Sequence, residues 1–173
     1  MKSLLRKCTT FLRMPVREKY WFFLVWIISG PVRAALLLLP FRKMTPVLGE
    51  HCGKLQLTAL ASVEQRQRAW RIGRVTELAA SYTPWQSKCL VQACAASILL
   101  RYYRIPYVMH LGVARDSEDT DTDGSAMKAH AWLSVGPRIV TGRDGHRAFT
   151  IVSTFVSPAL LNKPGDNGVL DAS

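Results

Sequence analysis

Residues 87–96 read SKCLVQACAA, and this stretch decides the fold prediction. Two cysteines lie five residues apart among small apolar side chains, which is typical of a helix packed on a core. The pattern predicts a helix over residues 88–104. Ile105 and Pro106 close it, because the residue before a proline disfavours the helical conformation.

The two cysteines occupy different positions on the predicted helix. Ser87 is a suitable N-cap, which places Cys89 at the second helical residue. There the helix dipole and the free backbone N–H groups favour a thiolate, and the same N–H groups can stabilise an oxyanion. Cys94 lies roughly 140° further around the helix axis, between Ala93 and Ala95, so we assign it to the core.

Short strands follow this helix. Gly136-Pro137 and Asp144-Gly145 mark turns between apolar segments. A helix followed by at least four strands favours an α+β fold. The predicted strands span residues 107–114, 130–135, 138–142 and 148–155.

A cysteine nucleophile needs a base, and the base needs a group that orients it. His130 opens a predicted strand after a loop, so it can face a helix start across a cleft. Asp144 follows the next strand and is the only acid between Gly124 and Asp166. We therefore take Cys89, His130 and Asp144 as candidate catalytic residues. A hydrogen-bonded core or surface histidine and a solvated turn aspartate are the alternatives.

The net charge of +11 belongs to the N-terminal half. Residues 1–88 hold 15 Lys and Arg against four acids, whereas residues 89–173 hold eight of each. A basic surface favours an acidic peptide, a lipid headgroup or a nucleic acid. There is no zinc finger, RNA-binding signature or long basic run, so we predict no nucleic-acid partner.

The basic half is also apolar and helical in pattern. Residues 1–19 fit an amphipathic helix, and residues 55–80 fit another. Between them the uninterrupted apolar run Tyr20–Ile28 is short, and Arg33 follows it, which argues against a membrane span. We predict two short helices joined near Pro31, with attachment to a membrane surface as the open alternative.

The cysteine content and the N-terminal sequence indicate the cellular compartment. The four cysteines are sparse and no secretory cleavage site is visible, so we predict a cytoplasmic protein, with membrane association left open.

The loop over residues 116–128 contains DTDTDG (119–124), but the twelfth residue of that would-be calcium loop is His130 rather than Glu. No CxxC pair is present. We predict no metal and no cofactor.

Six motifs in order resemble one known family. They resemble the leader peptidases of lasso-peptide maturation, which are transglutaminase-like cysteine proteases. The similarity is strongest over residues 84–156. The motifs are WQSKCLVQA (85–93), RYYRIPY (101–107), LGVA (111–114), KAHAWL (128–133), VTG (140–142) and FTIVSTF (149–155).

The resemblance implies a papain-like, transglutaminase-type core with a Cys–His–Asp triad. Cys89 matches the family nucleophile, His130 matches the base, and Asp144 is the available acid after VTG. The implied organisation is a basic helical docking segment (1–83), a protease core (84–158) and a flexible tail (159–173).

The implied partners are a precursor peptide with its leader, a separate leader-recognition protein and an ATP-dependent lasso cyclase. The separate recognition protein is implied because no β-rich leader-binding domain is visible in residues 1–83. Two other functions stay open. One is acyl transfer to an amine by the same triad, and the other is a non-catalytic basic adaptor for the peptide or a membrane.

Overall fold

The computed structural model describes residues 14–115 and 127–161. Five helices, one 3-10 turn and five strands follow one another in this part of the chain, and the α+β prediction is confirmed. The helices are α1 (Val16–Leu38), α2 (Phe41–Leu48), α3 (Val63–Ala80), α4 (Cys89–Tyr102) and α5 (Pro158–Leu161). The strands are β1 (Glu50–His51), β2 (Val108–Arg115), β3 (Met127–Val135), β4 (Arg138–Thr141) and β5 (Thr150–Val156).

The prediction of two helices joined near Pro31 is wrong, because α1 runs through this proline without a break. Pro31 costs one backbone hydrogen bond, and packing of α1 against α3 and α4 offsets that loss. Gly30 lets the ring of Trp85 pack against the helix, since a Cβ there would lie 3.2 Å from the indole. The chain leaves the helix at Leu39 instead, immediately before Pro40.

Helix α3 begins later than residue 55, where the sequence pattern had placed its start. Ser62 and Gln65 form a capping box, in which each side chain accepts from the other residue's backbone N–H. Residues 55–61 form neither helix nor strand, and the hydroxyl of Thr154 donates to the carbonyl of Leu55 at 2.7 Å. The segment therefore covers part of the sheet rather than extending the helix.

The five strands form one antiparallel sheet in the order β1-β5-β2-β3-β4. The strands predicted after α4 are all present, although β3 begins at Met127 and β5 at Thr150. The 3-10 turn His146–Ala148 occupies the start of the last predicted strand. Strand β1 was not predicted, because two residues carry no periodic signal.

The sheet has two different faces, because successive side chains of a strand point to opposite sides. On the helix face, Ala131 and Leu133 of β3 are buried against α1, α3 and α4. On the other face, which we call the cleft face, Val108 and Val156 pack under the segment near Ala59. The helix-face core takes side chains from both the predicted docking segment and the predicted protease core.

Candidate active site

Cys89 is the first residue of α4. The N-cap is Lys88 rather than the predicted Ser87, and its side chain makes no capping hydrogen bond. The first intrahelical bond runs from the Gln92 N–H to the Lys88 carbonyl at 3.1 Å. The N–H groups ahead of Gln92 belong to the uncapped first turn, where the helix dipole favours negative charge. The half-buried Cys89 thiol therefore lies at a helix start suited to an anion.

The loop before Cys89 is held by hydrogen bonds within itself. The hydroxyls of Thr83 and Ser87 lie 2.9 Å apart. The Gln92 side-chain amide reaches back from the helix and donates to the Ser87 carbonyl at 2.9 Å. Ser87 therefore supports the turn into α4, although it does not cap the helix.

Helix α1 holds the same loop from outside. The Arg33 guanidinium donates to the carbonyl of Gln86, and the Trp85 indole N–H donates to the Ser29 hydroxyl at 3.3 Å. The rings of Trp26 and Trp85 lie 5.5 Å apart. An arginine within an apolar helix thus has a specific partner, and α1 is a structural support of the Cys89 loop.

Cys94 differs from Cys89 in burial. Its side chain is fully buried in the helix-face core. Burial raises the pKa of the Cys94 thiol to about 12, and the positive charge of Arg101 opposes this increase. A thiol of this kind stays protonated and unreactive at neutral pH. The assignment of Cys94 to the core is confirmed.

His130 is the fourth residue of β3, not its first, and is half-buried. Its Nε2 atom lies 2.9 Å from the carbonyl oxygen of Gly142. Because a carbonyl only accepts, Nε2 carries the proton, and Nδ1 is the nitrogen left to accept one. The imidazole also lies 5.0 Å from the Phe149 ring and 6.0 Å from the Trp132 ring.

These contacts place His130 on the cleft face, whereas α4 packs on the helix face. The neighbouring Ala131 points into the core beneath the helices, so alternation directs His130 away from them. In the described part of the chain, no hydrogen bond joins Cys89 to His130. Helix α4 and strand β3 pack together; Cys89 lies against the helix-face core, and His130 contacts the rings of Trp132 and Phe149.

Asp144 lies in the exposed turn after β4. Its electrostatic neighbour is Glu77 of α3. The pKa of the Glu77 carboxyl is raised chiefly by partial burial; Arg143 lowers it, and the negative charge of Asp144 raises it further. Within residues 14–115 and 127–161, no hydrogen bond joins Asp144 to His130. The Gly142 carbonyl occupies the orienting position that we predicted for Asp144.

The cleft face contains a group of aromatic and imidazole rings that was not predicted from the sequence. An open cleft of about 670 Å³ is lined by His110, Trp132, Phe149, Arg147 and Lys54, among others. The His110 ring stacks on Trp132 with centroids 5.5 Å apart. The His110 side chain is buried, neither of its ring nitrogens has a hydrogen-bond partner among the described residues, and burial lowers its pKa. The alternation of side chains along β2 and β3 could have predicted that these rings lie on the same face of the sheet.

The described residues contain no cluster of three or more His, Cys, Asp or Glu side chains that could hold a metal ion. The DTDTDG motif (119–124) lies outside the described residues, as does most of the predicted tail. A metal-free site therefore remains a prediction from the sequence.

Comparison with known proteins gives the family. A model of the transglutaminase-like superfamily matches residues 35–154, which is more than half of the chain. Searches among curated proteins and among solved structures gave no match. The match agrees with the mixed helical and antiparallel architecture, in which a cysteine begins the helix beside the sheet. The chain therefore belongs to the transglutaminase-like superfamily, whose members include cysteine proteases and acyltransferases.

Proposed function

We propose that the protein is a cysteine peptidase that removes the leader from a lasso precursor peptide. It would act with a separate leader-recognition protein, before an ATP-dependent cyclase closes the ring. The observation that carries the proposal is the position of Cys89 at the uncapped start of α4 in a transglutaminase-like domain. The ordered motifs around Cys89 and His130 resemble those of the lasso leader peptidases, and this resemblance suggests the peptide substrate and the partners.

In the proposed reaction the Cys89 thiol gives its proton to His130, and the sulfur attacks the scissile carbonyl carbon. N–H groups of the first turn of α4 receive the oxyanion. As the intermediate collapses, protonated His130 passes its proton to the leaving amine, and the leader remains as a thioester. Water then attacks the thioester with His130 as base, which frees the leader carboxylate and restores the thiol.

This chemistry requires the Nδ1 atom of His130 to face the Cys89 thiol. The Gly142 carbonyl takes Nε2 in the structure, which leaves Nδ1 for the thiol at the start of α4. His130 pairs with Gly112 of β2, whereas the pairing of β3 with β4 begins only at Leu133. In the proposal Asp144 then orients the imidazolium as the third member of the triad.

A non-catalytic adaptor is the second candidate. The basic N-terminal half, which would bind an acidic peptide or a membrane, favours it. Acyl transfer to an amine is a variant of the first proposal, because the same thioester serves either acceptor. The products distinguish all three.

The test combines the full chain with a lasso precursor from the same biosynthetic locus and the leader-recognition protein from that locus. Peptide masses are recorded for native protein, Cys89→Ala and the control Cys52→Ala, which alters a half-buried cysteine that packs against the separate cluster of Ala59, Val108 and Val156. We expect leader release by native protein and Cys52→Ala but not by Cys89→Ala.

Three other results overturn parts of the proposal. An amide-linked adduct in place of a free leader carboxylate identifies an acyltransferase. Precursor binding without any cleavage identifies an adaptor. Release by Cys89→Ala excludes Cys89 as the nucleophile.

A further inference from the structure

Helix α1 exposes a continuous apolar stripe along its whole length. The exposed positions recur every three or four residues, so they lie on one side of the helix. Over 23 residues the stripe extends roughly 33 Å at the α-helical rise per residue. Val16 and Leu38 at its two ends are 82% and 81% exposed. The stripe comprises Val16, Tyr20, Phe23, Ile27, Pro31, Ala34 and Leu38.

The opposite side of α1 belongs to the domain core. Trp21 and Val25 are buried against α3 and α4, and the Trp21 indole donates to the Tyr103 hydroxyl at 2.9 Å. The helix is long and apolar enough to cross a membrane by composition. A spanning orientation would remove this face from the core, so the fold favours a helix that keeps its inner face in the domain.

Cations surround the stripe at both ends. From Met1 to Gly49 the sequence holds nine Lys and Arg, and Glu18 is the only acid. Arg17 lies at the start of α1, and Arg42 and Lys43 follow its end; all three are exposed. An apolar surface bordered by cations is complementary to a bilayer with anionic headgroups.

We propose that α1 lies in the plane of an anionic membrane surface, with its apolar stripe inserted among the acyl chains and its inner face in the domain. The charge distribution argues against a second copy as the occupant. Both ends of the stripe are basic, so parallel and antiparallel pairing of two copies would each bring cations together. The inference does not depend on the proposed peptidase activity.

The test is sedimentation of the full chain with phosphatidylcholine vesicles that contain or lack phosphatidylglycerol. We expect binding to the anionic vesicles that weakens as salt is raised. The double variant Tyr20→Ser/Ile27→Ser removes two side chains that are 62% and 59% exposed. It should weaken partitioning by at least about tenfold, given the transfer free energy of two large apolar groups.

The matched control is Leu60→Ser, which alters a side chain that is 86% exposed and lies outside the stripe. It should bind vesicles like the native protein, and melting curves of all variants should show that they are folded. The proposal is overturned if native protein stays in the supernatant, or if folded Tyr20→Ser/Ile27→Ser binds as well as native protein. A dimer in solution that the double variant dissociates, without vesicle binding, identifies a second copy as the occupant.

Discussion

The imidazole Nε2 of His130 donates to the carbonyl oxygen of Gly142, 2.9 Å away. A backbone carbonyl is a fixed acceptor, so it sets the tautomer of the ring and leaves Nδ1 as the basic nitrogen. The residue that offers the carbonyl is constrained in turn. Gly142 has φ +71°, and a Cβ on it would lie 2.3 Å from the carbonyl oxygen of Ala131. Glycine is therefore required at this position for two independent reasons.

The first prediction concerns Gly142→Ala. The added methyl forces the β3–β4 connection apart in addition to the left-handed strain, so we expect a loss of roughly 2–4 kcal/mol in unfolding free energy. Gly53→Ala is the matched control, because Gly53 has φ +68° but nothing within 4 Å of a built Cβ. It should cost only about 1 kcal/mol. Urea denaturation measures both, and equal losses would show that Gly142 has room for a side chain.

The second prediction separates two roles of Asp144. If its carboxylate orients His130 as proposed, Asp144→Asn lowers kcat/KM for leader cleavage by about 100-fold or more. The same change should lower the pKa of Glu77, because a neighbouring negative charge is removed. Kinetics and carboxyl NMR titration measure the two effects. A lowered Glu77 pKa with an unchanged rate would assign the orienting role to the Gly142 carbonyl alone.

The third prediction concerns support of the nucleophile loop by α1. Arg33→Met removes the hydrogen bond to the Gln86 carbonyl, and we expect unfolding free energy to fall by about 1 kcal/mol. As a positioning residue, Arg33 should affect kcat more than KM, and Arg33→Lys should recover part of kcat because lysine still donates. Arg42→Met, at an exposed arginine beyond α1, is the control. An equal loss of kcat in that control would show that general charge, not the hydrogen bond, is responsible.

Much of the fold follows from local signals in the sequence. The start of α4 to within one residue, the strands after it and the core position of Cys94 were predicted from periodicity, turn residues and proline. The start of α3 was also readable, because Ser62 and Gln65 have the spacing of a capping box. The predicted helix break near Pro31 is wrong, since tertiary packing rather than local preference keeps α1 continuous.

The relation between Cys89 and His130 depends on the tertiary structure. Motif order shows that the two residues share a domain, but the face from which each side chain projects depends on strand register. The apolar alternation of Ala131 and Leu133 already indicated that His130 points away from the buried face.

The last prediction concerns stability against pH. His110 is buried on the cleft face without a partner for either ring nitrogen, and burial lowers its pKa below the usual value. The unfolded chain, with a histidine pKa of about 6.5, then binds a proton more readily than the folded chain. The contribution of neutral His110 to the free energy of unfolding is therefore fully present above about pH 6.5. It declines as the pH falls toward the pKa of His110 in the folded protein.

His110→Phe keeps an aromatic ring stacked on Trp132 and removes the titration. We expect the variant to be at least as stable as native protein at about pH 7.5, because two buried polar atoms without partners are lost. Its advantage should grow as pH is lowered to about pH 5. His51→Gln, at an exposed histidine, is the control because it removes a histidine and keeps His110. Thermal melts over this range measure the effect. Parallel curves for native protein and His110→Phe would show that His110 is protonated as easily folded as unfolded.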